Sequence, residues 1–400
     1  MKEASAEGVL VMKKFRCSAA LWVMGITLAA GTAFPLCTYA DSPPFAYTEE
    51  EWASLRDDTL EFEEIDRLIH EYNSTVKQNN IDYKDYQGKD RDDVAQDYYD
   101  SADEIYGNLP DLDSDSAGYA AALSSYISSE QQADHMVEQG DNNVDDEDTV
   151  KWGYTKTEKS LVNQAQGLMI SYWSSTASLE SLNRALEQAK QKEQTAAAKV
   201  AAGTATQTEL LNAGEAVLTA QSSITSARSS LNETRNSLLR MLGWNYGDEV
   251  EIKELPEPDL DAIQSINLES DLNRALENNY DLKILKKKLQ NSRSSTNEET
   301  YTEQVKSGEQ AIKSNVTSAY QSLLLARNKY EQALNQLSLS EKQMKTAERK
   351  KAAGTISANS YQEQFYSYED AKTGKQTAAY SLLSAQLDYE WAVNGLASAS

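Results

Sequence analysis

The stretch KVAAGTATQTELLNA at residues 199–213 interrupts a long run of helix-forming residues with a glycine, and KKAAGT at residues 350–355 does the same. Glycine inside a helix costs roughly 1 kcal/mol relative to alanine, so its presence at both places needs an explanation. Gly354 lies 151 residues after Gly203 (354 − 203). The spacing predicts a duplicated unit in which each glycine reverses the chain between two helices.

Apolar residues recur at steps of three and four around both glycines, which places one apolar seam along each helix, as in coiled coils. The first seam begins Leu168, Tyr172, Ser175, Leu179, Leu182, Leu186 and Ala189. The seam before the second glycine reads Val316, Ala319, Leu323, Ala326, Tyr330, Ala333, Leu337, Ser340, Met344 and Ala347. The predicted fold is all-α, with two tandem repeats of long antiparallel coiled-coil hairpins and β-strands that are short or absent. Each arm is predicted to have about 40 residues and to be about 60 Å long.

The start of the chain is typical of a secretory signal peptide, predicted at residues 1–40. A basic segment is followed by an apolar stretch and by the small-residue site Thr38-Tyr39-Ala40. A retained membrane anchor is the alternative interpretation. Both cysteines, Cys17 and Cys37, fall inside this segment, so we expect no disulfide or cysteine-based site in the remainder.

Three further regions are predicted after the signal peptide. The first repeat covers residues 41–253, a proline-bearing linker covers 254–267 and the second repeat covers 268–400. Each repeat opens with an amphipathic helix interrupted by an asparagine, and Asn73 aligns with Asn279. The first repeat also contains an acidic, tyrosine-rich insert at about residues 82–148. This insert is predicted to be a partner-binding or wall-interacting surface, or else a solvated helical hairpin or a partly disordered insert.

Composition argues against several functions. The chain has 38 basic and 63 acidic residues and a formal charge of −25, which disfavours nucleic acid as a partner. Its only histidines, His70 and His135, lie in unrelated segments, which argues against a nucleophile–histidine dyad or a histidine-rich metal site. The acidic segment Asp111–Gly118 lacks the glycine and the glutamate that a calcium loop requires at its sixth and twelfth positions. We therefore predict no catalytic residue, no metal site and no cofactor, and a protein that is not an enzyme.

The duplicated hairpin over residues 159–396 resembles the TolC family of outer-membrane efflux proteins. Two motifs carry the resemblance, ALENNYDLKILKKKL at residues 275–289 and the stretch at 199–213 quoted above. Family members typically have a glycine, an acidic residue six positions later, then leucine and alanine, which here are Gly203, Glu209, Leu211 and Ala213. The second tip departs from this pattern, because Ser360 stands at its acidic position.

The resemblance implies a homotrimer whose twelve long helices form a hollow α-barrel. The barrel is expected to dock by its tips onto a membrane-fusion adaptor and an inner-membrane pump, ABC-type or other. The expected docking residues are Gly203, Thr204, Glu209, Gly354 and Thr355, with the two threonines capping the returning helices. In the family, residues six and nine after the second glycine line the tunnel entrance. Those positions are Ser360 and Glu363, so half of the acidic ring is retained.

The family also inserts two β-strands per half to cross the outer membrane. Neither the acidic insert nor residues 291–310 has the alternating apolar pattern of such strands. We therefore expect the spanning barrel to be missing, in a protein of the cell envelope or of the surface of a cell without an outer membrane. The predicted function is an exported TolC-like channel of an efflux or type I secretion-like assembly. The alternative is a structural coiled-coil stalk or scaffold. The aromatic cluster Tyr361–Tyr368 is predicted either to contact an adaptor or to pack in the seam.

Overall fold

Long helices dominate the computed structural model, which describes residues 47–115 and 117–399. The predicted signal peptide lies outside these residues. Two-residue strands β1 (Thr59–Leu60) and β2 (Glu251–Ile252) pair in parallel. The described α-helices are α1 Glu49–Ser54, α2 Ile65–Tyr72, α3 Ser74–Tyr83, α4 Arg91–Gly107, α5 Tyr119–Asp141, α6 Glu147–Ala201, α7 Gln207–Met241, α8 Leu260–Gln264, α9 Leu268–Asn278, α10 Tyr280–Asn291, α11 Ser295–Ala352 and α12 Ala358–Trp391. The predicted all-α fold with short strands is confirmed. In the part of the chain described, no helix is both long and apolar enough to span a membrane.

Two hairpins, α6–α7 and α11–α12, contain the four longest helices. The outgoing helices α6 and α11 have 55 and 58 residues, whereas the return helices α7 and α12 have 35 and 34. At 1.5 Å per residue these are about 85 Å and about 50 Å long. The prediction of arms of about 40 residues was therefore wrong for the outgoing helices. They begin earlier because Asp146 and Ser294 cap their first turns, and the polar residues that follow are compatible with a solvated helix.

The hairpins pack side by side through α6 and α12, so the four helices form a layer in the order α7–α6–α12–α11. The predicted seam of α11 is confirmed, since Val316 and Leu323 are fully buried and every other member is buried or half-buried. The predicted seam of α6 is only half-buried, and its fully buried neighbours include Met169 and Ala177. Helix α6 contacts α2, α3, α7, α10 and α12, so its burial is spread over more than one seam.

An asparagine breaks the opening helix of each repeat and binds the end of that repeat's return helix. The Asn73 side chain accepts hydrogen bonds from the first turn of α3 and donates to the Met241 carbonyl oxygen at 2.8 Å. The Asn279 side chain caps α10 and donates to the carbonyl oxygens of Gly395 (3.3 Å) and Ala397 (2.6 Å). The predicted correspondence between the two asparagines is therefore confirmed in three dimensions. Both anchors lie at the end of the hairpins far from the glycine tips.

The acidic stretch at 82–148, with 20 acidic and three basic residues, contains the hairpin α4–α5, in agreement with the helical-hairpin interpretation. Buried Arg91 closes the base of this hairpin by donating to the carbonyl oxygens of Asn143 and Asp141, both at 2.8 Å. The hairpin base is tied to the second repeat, because Lys287 of α10 contacts Asp148 at 2.8 Å. This hydrogen bond raises the pKa of Lys287. Because α6 starts here and ends at the first tip, the acidic hairpin and the tips lie at opposite ends of that helix.

Candidate functional site at the hairpin tips

The first tip ends α6 with a left-handed glycine. Gly203 has φ +70°, its N–H donates to the Val200 carbonyl oxygen at 2.9 Å, and the Thr204 N–H donates to that of Lys199 at 2.8 Å. These two bonds form the Schellman motif that satisfies the last carbonyls of a helix. A Cβ atom at Gly203 would have no atom within 4 Å. The position therefore favours glycine through backbone conformation alone.

The second tip repeats this geometry at the end of α11. Gly354 has φ +68°, and its N–H donates to the Lys351 carbonyl oxygen at 3.0 Å. The Thr355 N–H donates to the Lys350 carbonyl oxygen at 2.9 Å. The sequence prediction of two equivalent reversals is therefore confirmed at the level of individual hydrogen bonds. Basic side chains occupy the last turn of both outgoing helices, where they complement the helix dipole.

The predicted role of the two tip threonines was wrong. The hydroxyl groups of Thr204 and Thr355 donate back to the carbonyl oxygens of Lys199 and Lys350, each at 3.1 Å, and so complete the end of the outgoing helix. The returning helices are capped two residues later, by Thr206 on α7 and by Ser357 on α12. The Schellman turn places Thr204 and Thr355 before the N-cap position, so their side chains face the helix that ends rather than the one that begins.

The residues six positions after the two glycines, Glu209 and Ser360, lie in the first turns of the returning helices, next to the residues that cap them. Glu209 is the third residue of α7, and its N–H is the group that Thr206 caps, at 3.3 Å. A carboxylate there is favoured by the positive end of the helix dipole. At the second tip Ser360 occupies the same place, and the Ser357 hydroxyl donates to its side chain at 3.0 Å. Ser360 therefore keeps a polar first turn but lacks the negative charge that Glu209 carries at the first tip.

Glu209 and Glu363 line one open groove of about 630 Å³ between the two hairpins near their tips. The other walls of this tip groove come from α6 and α12 and include Lys192, Lys199 and Asp370. The structure thus brings together two of the predicted acidic positions, one from each hairpin. The side chains of Glu209, Ser360 and Glu363 are all exposed. The groove is polar and carries both signs of charge, which suits a protein or solute contact better than covalent chemistry.

Sequence reasoning missed Arg184, which binds Asp370, one of the residues that line the tip groove. The Arg184 guanidinium on α6 contacts the Asp370 carboxylate on α12 at 3.2 Å and donates to the Thr373 hydroxyl at 2.5 Å. This link joins the two hairpins through α6 and α12. The sequence contains no signal for it, because the register between two separate hairpins cannot be read from either heptad series.

Of the two roles predicted for the aromatic cluster near the second tip, packing within the hairpin is seen for Tyr361, and contact with an adaptor stays a prediction. Tyr361 packs within its own hairpin, with the Lys351 ammonium 3.6 Å from the centre of its ring, a cation–π contact. Phe365 is exposed and lies beside the ring of Tyr366, which lines the tip groove. Packing inside the hairpin therefore accounts for Tyr361, whereas Phe365 and Tyr366 remain available on the surface.

No family model and no curated protein matches the chain. Solved structures do match it over most of its length. A membrane protein from Pseudomonas aeruginosa is 13% identical, with a TM-score of 0.53 over 83% of this chain and 93% of that one. CusC, described in terms of folding and transmembrane channel formation, is 10% identical, with a TM-score of 0.50 over 88% of this chain and 96% of its own. The chain has the TolC-like fold. The resemblance predicted from the duplicated glycine tips is thereby confirmed as a resemblance of fold.

Proposed function

We propose that this protein is an exported TolC-like channel of the cell envelope, a component of an efflux or type I secretion-like assembly that is driven by a partner pump. The observation that carries the proposal is the layer α7–α6–α12–α11, whose two outer helices expose leucines that nothing in the described protomer covers. The protein itself would perform no chemistry, since its part is to form a conduit.

Each outer helix exposes leucines at multiples of seven residues. Leu211 and Leu218 on α7 are 64% and 67% exposed, and Leu325 and Leu339 on α11 are 56% and 49% exposed. Heptad spacing keeps such residues on one side of a helix. The α7 edge and the α11 edge are different surfaces. Copies of the layer would therefore pair side by side, with the α7 edge of one copy against the α11 edge of the next, which is a head-to-tail (heterologous) contact. Pairing of this kind closes into a ring when the rotation between copies allows it.

Three copies of the four-helix layer give the twelve-helix barrel that the TolC resemblance implies. In this homotrimer the tips, with Gly203, Thr204, Gly354 and Thr355, form the end that docks onto a membrane-fusion adaptor. Glu209 would face the adaptor from the tip groove. Glu363 would supply the single acidic ring of the tunnel entrance, with Ser360 as its neutral neighbour one turn away.

Two measurements test the proposal. Multi-angle light scattering on the purified protein should give three times the protomer mass, and a monomer at all concentrations would contradict it. In the source cells, deletion of the gene should increase retention of a fluorescent efflux dye such as ethidium, and the wild-type gene should restore export. Unchanged retention would contradict the efflux role.

A structural stalk is the second candidate function. The length of the outgoing helices and the acidic hairpin at the end opposite the tips favour it, because both suit a spacer with a solvated head. A stable trimer with no effect on dye export, but with a change in envelope integrity, would support the stalk over the conduit.

A further inference from the structure

The loop that follows α7 holds one tyrosine out in solvent beside a small pocket. Gly243 and Gly247 both have positive φ, and between them Trp244 is buried, with its N–H donating to the Leu239 carbonyl oxygen at 2.9 Å. The loop is therefore fixed to the end of α7. On this fixed loop Tyr246 is 93% exposed. Tryptophan, tyrosine and arginine are enriched among the interface residues that contribute most to binding energy.

The pocket has a volume of about 300 Å³ and lies on α7, an outer edge of the layer. Its floor includes Leu239, which is almost fully buried, and its rim carries polar groups. We refer to it as the Tyr246 socket; it is lined by Glu233, Asn236, Ser237, Leu239, Arg240, Asn245 and Tyr246. An apolar floor with a polar rim and an exposed tyrosine suits one aliphatic side chain from a partner protein.

The aliphatic side chain that could enter the socket is the one on the α11 edge that lies as far from the tips as the socket does. In a ring whose axis runs along the helices, a rotation relates the copies without a shift, so residues at equal height meet. We measure height along the helix axis from the tip end of each helix. Leu325 lies 27 residues before the end of α11 (352 − 325), which is a height of about 40 Å. Asn236 lies 29 residues after the start of α7 (236 − 207), a height of about 43 Å.

The same register also places Leu218 close to Leu339. Leu218 lies 11 residues after the start of α7 (218 − 207) and Leu339 lies 13 residues before the end of α11 (352 − 339). Their heights are about 17 Å and about 20 Å. One head-to-tail arrangement, without axial shift, therefore covers the exposed leucines at two separate heights.

We infer that the Tyr246 socket receives Leu325 from the α11 edge of an adjacent copy, and that this contact sets the register between protomers. The inference rests on the proposed ring and adds the contact that closes it. Lys329, one turn further along α11, would then approach Glu233 on the rim of the socket. Neither residue has an ion-pair partner among the described residues of its own protomer.

Cysteine cross-linking tests the contact directly. In a full chain with Cys17→Ser and Cys37→Ser, the pair Asn236→Cys and Leu325→Cys should form a disulfide between protomers under mild oxidation. The matched control pair, Asn236→Cys with Leu339→Cys, differs in height by about 24 Å and should remain reduced. A cross-link in the first pair alone supports the inference.

Separate outcomes distinguish the inference from the proposed function. If the wild-type protein is trimeric but the first pair stays reduced, or the control pair cross-links instead, the socket contact is overturned and the trimer stands. If the wild-type protein is monomeric, the proposed ring itself is contradicted, and the socket contact with it. Leu325→Asp should also raise the dissociation constant of the oligomer by at least about tenfold. Ile127→Asp, on the exposed face of α5, should leave it unchanged, and equal effects of the two substitutions would contradict the inference.

Discussion

Replacement of Asn279 by alanine should destabilise the second repeat well beyond the loss of an ordinary helix cap. The side chain is fully buried, and its carbonyl oxygen accepts from the Leu282 N–H at 2.9 Å. Loss of such a cap costs about 1 kcal/mol. The amide group also donates to the carbonyl oxygens of Gly395 and Ala397, and each lost hydrogen bond contributes about 1 kcal/mol. The expected loss of unfolding free energy is about 3 kcal/mol.

Asn267 provides a matched control for this measurement. It caps α9 by accepting from the Ser270 N–H at 3.1 Å, but it is exposed, and it is the same residue type in the same role. Asn267→Ala should cost about 1 kcal/mol. Urea unfolding followed by circular dichroism gives both values. If Asn279→Ala proves no more destabilising than Asn267→Ala, the claim that Asn279 holds the end of the return helix is refuted.

Three further predictions concern the tips, the acidic hairpin and a pH dependence. Gly203→Ala or Gly354→Ala should each lower the urea unfolding free energy by about 1–2 kcal/mol, because only the left-handed backbone opposes the substitution; no loss at either position would contradict the turn geometry. Arg91→Met should speed proteolytic cleavage within α4–α5 while the long hairpins stay protected, and uniform cleavage would show that the hairpin base is not a separate anchor. The hydrogen bond to Glu158 at 3.1 Å raises the pKa of His70, so its stabilising contribution is complete below the unfolded pKa of about 6.5 and is lost as pH rises through the folded pKa. Stability measured from about pH 6 to about pH 8 should therefore fall, and His70→Gln should flatten that fall; an unchanged slope would contradict the assignment.

The sequence was sufficient for the features that depend on local pattern. The heptads of α11 predicted its buried seam, and the repeated glycines predicted two equivalent turns, because helix periodicity and positive φ are properties of short segments. The equivalence of Asn73 and Asn279 in the two repeats was visible in the sequence as a loose repeat. Their hydrogen bonds to the ends of the return helices were not, since the partners lie more than 100 residues away in the chain.

Features that depend on contacts between segments could not be predicted. The early starts of α6 and α11 were missed because polar residues without a seam are compatible with either helix or loop, and the caps at Asp146 and Ser294 decide between them. The link between Arg184 and Asp370 depends on how two hairpins align, which neither sequence specifies. Thr204 illustrates the smallest error. It was predicted to cap α7, but the cap is Thr206, two residues later, and the Thr204 hydroxyl binds the end of α6 instead.

The hollow ring is the central claim, and electron microscopy of the purified oligomer viewed along the helices tests it most directly. The layer α7–α6–α12–α11, repeated three times, predicts twelve helix densities around an open lumen, with exposed leucines covered between adjacent copies. Four densities from a lone protomer, or a closed bundle without a lumen, would contradict the channel.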